Sequence, residues 1–85
     1  ARETAFQSYP NPSGQQRWWS LREMPAEQTV IEVFGLDGSL EWSTQLETPP
    51  GETTQEAHLE GLNSGMYLLK VTSGDWQTVE RMTIH

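Results

Sequence analysis

The sequence predicts an all-β fold, an antiparallel sandwich of six or seven short strands. Three observations carry the prediction: apolar and polar residues alternate with a period of two, turn signals recur at short intervals, and no window offers a helical stripe. The one helical candidate, Leu21 to Gln28, is broken by Pro25.

The first element is the run Tyr9-Pro10-Asn11-Pro12-Ser13-Gly14. Each proline fixes its own φ, lacks an N–H donor and pushes its predecessor into an extended conformation, so the run is a stiff opening segment. Proline at a sheet edge also blocks unwanted pairing. A strand follows from Arg17 to Arg22 and ends before Met24-Pro25. Thr29 to Phe34 is dense and β-branched, as in a strand with apolar neighbours on both sides. Leu40, Trp42 and Leu46 alternate with Glu41, Ser43 and Gln45, which predicts a strand with one buried face. Between these two strands, Asp37-Gly38 supplies the positive φ of a tight hairpin.

Thr48-Pro49-Pro50-Gly51-Glu52 is a loop by composition, and Thr53 to Leu59 reads as a polar strand ending at His58-Leu59. Gly61 to Gly65 is a turn with one buried anchor, Leu62. Tyr67, Leu69 and Val71 alternate with Met66, Leu68 and Lys70 before Ser73-Gly74-Asp75 turns the chain. The return strand runs from Trp76 to Ile84 with Met82 and Ile84 on one face. Val79 is out of phase with Met82, which predicts a register change or bulge near Glu80.

Eighty-five residues make one domain, and with no cysteine it has neither a disulfide framework nor a thiolate metal site. A net charge of −7, with the basic residues Arg2, Arg17, Arg22, Lys70 and Arg81 scattered, argues against nucleic acid or anionic lipid as partner. No apolar run approaches the ~20 residues that span a bilayer as a helix. The start, Ala1-Arg2-Glu3-Thr4, lacks the apolar segment of a secretory signal, so the chain is expected to be a fragment or a mature piece.

Catalysis has little to stand on. Only His58 and His85 are available as imidazole bases, and carboxylates on a small convex sandwich have no cleft to work in. Asp37, Asp75 and the neighbouring glutamates show no metal-ligand spacing, so no metal, cofactor or enzyme activity is expected. Four tryptophans suggest an alternative, a small carbohydrate-binding or adhesive module stacking sugars on Trp18, Trp19, Trp42 and Trp76. Adjacent strand residues point to opposite faces, however, so Trp18 and Trp19 are expected to separate, one of them outside.

The order of these elements resembles the C-terminal sorting domains of the type IX (Por) secretion system of Bacteroidetes, type A-like. The resemblance lies in Tyr9 to Gly14, in the hairpin Val30 to Leu40 with its turn glycine Gly38, in Leu62, Gly65 and Tyr67, and in the closing Arg81-Met82-Thr83-Ile84. It covers roughly residues 7 to 85. Two features depart from the family's usual pattern: Arg81 stands where lysine is usual, and the Trp18-Trp19 pair is unusually aromatic.

The resemblance implies an immunoglobulin-like β-sandwich of about seven strands at the end of a larger exported protein. It implies an address tag without chemistry of its own, with residues 1–8 as linker to an upstream cargo and 9–85 as the sorting domain. Its partners would be the outer-membrane translocon and a sortase-like surface peptidase, and an open sheet edge leaves room for a weak homodimer. The implied route is periplasm, then cell surface or medium. The residues implied in recognition are Tyr9, Pro10, Asn11, Pro12, Gly14, Gly65, Tyr67, Arg81, Met82, Thr83, Ile84 and His85. Each also has a plain structural reading: Tyr67 buries its ring, Gly65 permits a bend, and Met82 and Ile84 complete the core. The free end of the last strand is where a receptor reads a strand by edge addition or end capture.

Overall fold

The computed structural model describes residues 3–10, 16–59 and 61–84. Seven strands follow in order: β1 (Ala5–Pro10), β2 (Gln16–Arg22), β3 (Gln28–Phe34), β4 (Leu40–Glu47), β5 (Glu52–His58), β6 (Gly65–Ser73) and β7 (Trp76–Ile84). They form two sheets, β1-β2-β5 and β4-β3-β6-β7, with every pairing antiparallel. The expected all-β sandwich is therefore present, and the described residues contain no helix.

Alternation places one face of each sheet inward. Phe6, Trp19, Leu21 and Ala57 come from the three-stranded sheet, and Ile31, Val33, Leu69, Val71, Met82 and Ile84 from the four-stranded one. Trp19 joins the layers: its ring centroid lies 5.8 Å from that of Phe6 and 6.4 Å from that of Trp42, both in tilted arrangements. Its neighbour Trp18 points outward and is 38% exposed, as two adjacent strand residues must. Trp42 and Trp76 are partly buried against the core, so the four indoles share no common face.

The β3–β4 hairpin turns as its Asp-Gly predicts. Gly38 has φ +89°, its N–H donates to the Gly35 carbonyl at 3.0 Å, and the Gly35 N–H donates to the Ser39 carbonyl at 2.8 Å. Asp37 braces the turn by accepting from the Ser39 N–H and hydroxyl at 3.0 and 2.7 Å.

Two details correct the sequence reading. The β6–β7 register is unbroken from Gly65 opposite Ile84 to Ser73 opposite Trp76, so no bulge occurs at Glu80. Val79, 57% exposed, stands on the outer face of β7, where a β-branched residue suits a strand without being part of the core. The register shift lies instead between Val33 and Phe34, where Val33 opposes Trp42 and Phe34 opposes Leu40, skipping Glu41. The shift takes Leu40 out of the buried series: it is 54% exposed, while Trp42 and Leu46 stay packed on the core. Strand β1 was not singled out in the sequence, and residues 5–8 of the segment read as linker belong to it.

Candidate functional site

Antiparallel pairing gathers the first and last elements at one end of the sandwich. There Pro10 opposes Arg17, Gln16 opposes His58, and Gly65 opposes Ile84. Gly65 opens β6 at φ +150°, outside the range L-residues favour, with nothing within 4 Å of where a Cβ would stand. Tyr67 packs its ring partly against the core, opposite Met82, and its hydroxyl donates to the Asn63 carbonyl at 2.6 Å. Leu59 and Leu62 close this end from the connection between β5 and β6, both buried although neither lies in a strand.

The terminal strand splits by parity. Met82 and Ile84 point inward and are buried; Arg81 and Thr83 point outward and are exposed. Among the described residues strand β7 pairs with β6 alone, so its other side is a sheet edge. Tyr9, next to last in β1, is 45% exposed and lies directly opposite Trp18 on the outer face of the three-stranded sheet, and its hydroxyl donates to the Gln7 side chain. Asn11, Pro12, Gly14 and His85 lie outside the described residues. Of the residues singled out from sequence, Tyr9, Pro10, Gly65, Tyr67, Arg81, Met82, Thr83 and Ile84 therefore share one end of the molecule.

A residue that sequence reasoning passed over connects them. Arg17 stands on the inward side of β2, in phase with the buried Trp19 and Leu21. Its Nε donates to Ser8 Oγ of β1 at 2.9 Å, and its Nη1 reaches the Thr83 carbonyl of β7 at 3.4 Å. Burial lowers its pKa from the ordinary value, and the carboxylate of Glu80 partly offsets that effect. The sequence signal was available: an arginine at the first inward position of an otherwise apolar alternation. The opposite end is closed by hydroxyls: Thr29 and Thr48 share a hydrogen bond at 3.2 Å, and Thr48 Oγ1 is 2.8 Å from the Ala26 carbonyl. Ser73 Oγ accepts from the Ala26 N–H at 3.2 Å.

The pattern of an opening strand, two hairpins and a closing strand that returns to the end of the opening strand agrees with a comparison of protein families. The family described as the secretion system C-terminal sorting domain matches residues 7–85. The chain belongs to this family. Its members are type IX secretion sorting signals and do not form an enzyme family, so this domain directs export of cargo attached upstream to the cell surface or the medium. No curated protein matches the chain in sequence. Among the described residues no group of three or more His, Cys, Asp or Glu is arranged to hold a metal ion.

Proposed function

We propose that the outer-membrane translocon reads this sorting domain at the end where Arg17 brings the end of β1 and the end of β7 together, and that a sortase-like surface peptidase then removes it. The boundary with cargo lies upstream of β1, because a cut within Ala5–Pro10 would take an edge strand from the three-stranded sheet. On this reading the domain passes the periplasm folded, and the fold serves to display the site.

The observation that carries the reading is the convergence itself. Elements more than sixty residues apart in sequence, Pro10 and the strand ending at Ile84, lie at one end on either side of Arg17. Truncating the tail is a blunt test, since Met82 and Ile84 are core residues. The sharper test is Arg81→Ala with Thr83→Ala, which alters only exposed side chains of β7. The folded variant is expected to lose export of a reporter while keeping its thermal midpoint; export at the unaltered level would move recognition elsewhere.

The carbohydrate-binding reading keeps one aromatic pair, Tyr9 and Trp18, instead of four tryptophans. The same face carries a groove of about 300 Å³ lined by Ala5, Gln7, Tyr9, Ser20, Arg22 and Glu52. A glycan titration that leaves tryptophan fluorescence unchanged removes this second reading.

A further inference from the structure

We infer that Arg17 is a positioning residue of the sorting signal: it ties the terminal strand to β1 and β2, so that the end of β1 and the strand Arg81–Ile84 are presented as one fixed surface. The inference rests on the sorting function proposed above and adds a residue and a mechanism to it.

The argument begins with what β7 lacks. Its last residues are paired only with the opening of β6, and β6 at that point extends past β3, whose pairing with it stops at Phe34 opposite Leu68. Among the described residues, Gly65, Met66 and Tyr67 thus have β7 as their one neighbour in the sheet, and β7 there has only them. Such a two-stranded extension frays easily, since a lone hairpin is marginal in water. Met82 and Ile84 anchor it through their side chains, and the Arg17–Thr83 hydrogen bond links its backbone to the other sheet.

Arginine suits this task. Its guanidinium is a planar fork with five donors, so one group addresses Ser8 Oγ through Nε and the Thr83 carbonyl through Nη1 at the same time. A lysine ammonium is a point charge on a flexible stem and does not hold two acceptors in one fixed plane. Glu80 lies on β7 as well, so the field at the guanidinium draws it toward the terminal strand. An isolated charge at a half-buried inward position is costly to keep. Here it bridges both sheets at the end that carries the family's opening and closing residues.

The test uses the 85-residue chain in two assays. In the first, amide exchange of the purified domain is followed by NMR for the wild type, Arg17→Gln, Arg17→Lys and Ser8→Ala. Arg17→Gln is expected to speed exchange in residues 82–84 about tenfold, the equivalent of one charge-assisted hydrogen bond, with β3 unchanged. Ser8→Ala, which removes one acceptor without adding bulk, should show a smaller change in the same residues and remains informative if Arg17→Gln does not fold. In the second assay each variant is fused behind a signal peptide and a reporter in a type IX-competent bacterium. Folded Arg17→Gln is expected to lose most export, and Arg17→Lys to fall between it and the wild type. Unchanged exchange in residues 82–84, or full export of a variant whose tail exchanges faster, would overturn the inference. A wild-type fusion that stays in the periplasm would instead refute the sorting reading, leaving the exchange assay to decide the tether.

Discussion

The two ends of the sandwich are closed by different chemistry. At the end formed by Arg22, Gln28, Glu47, Ser73 and Trp76, closure is polar and complete: Thr29, Thr48 and Ser73 are buried, and their hydroxyls are matched to one another and to Ala26. Further bonds bind the loops there, from Thr48 N–H to the Glu27 carbonyl at 2.7 Å and from Glu23 N–H to the Gly51 carbonyl at 2.9 Å. The other end is closed by apolar plugs, Leu59, Leu62, Met82 and Ile84, with Arg17 reaching across. Buried hydroxyl networks fix a unique geometry, because each unsatisfied member would cost more than the bond gains. An apolar plug leaves backbone edges free for a partner. The difference teaches that one end holds the fold together, and the other holds the fold while displaying a strand.

The largest effect that tests this division is Leu62→Ala, expected to cost roughly 2–5 kcal/mol because it opens a cavity under one of the two buried plugs, Leu59 and Leu62, of the β5–β6 connection. Urea unfolding should report the loss, and export should fall with the folded fraction. Next is Thr48→Val, which leaves the Thr29 hydroxyl and the Ala26 carbonyl without their partner and should cost about 1–3 kcal/mol. The comparison predicts that the variant molecules still folded are exported normally; a selective export defect at this end would break it. Gly38→Ala is smaller, about 1 kcal/mol, and arises from the backbone alone, since φ is +89° and nothing lies within 4 Å.

The smallest effect is a pH dependence at the β3–β4 turn. Ser39 hydrogen bonds hold the Asp37 carboxyl below its ordinary value of 3.8. A depressed folded pKa stabilises above the unfolded value, and that contribution disappears as pH falls through the folded value. Asp37→Asn should therefore flatten the acid limb of a thermal-midpoint curve below pH 3.8 and leave its neutral plateau shape unchanged.

Much of this architecture is legible in the chain. The return strand Trp76–Ile84 and the strand before it follow from alternation and from Gly74-Asp75, because both faces of that hairpin meet different surroundings. Strand β1 is hard to see: Ala5 to Tyr9 offers one buried apolar side chain, Phe6, and ends in an exposed tyrosine. The phase of Val79 points to a bulge near Glu80, whereas the register shift between Val33 and Phe34 is a tertiary matter of how β3 and β4 pair. Thr48 sits in a Pro-rich loop whose composition predicts exposure, yet it is buried by a partner twenty-two residues away. The sequence names candidate residues but not that they lie together, since the convergence of Pro10 with Thr83 depends on a sheet-to-sheet contact that no local pattern encodes.

The claim that unites these observations is that the folded chain is by itself a sufficient address. It is tested by fusing residues 1–85 behind a neutral reporter carrying an N-terminal signal peptide, in a type IX-competent bacterium, and measuring where the reporter accumulates. The account predicts reporter at the cell surface or in the medium, and its loss there when the translocon is inactivated. Reporter held in the periplasm of the intact strain, attached to a folded domain, would contradict it.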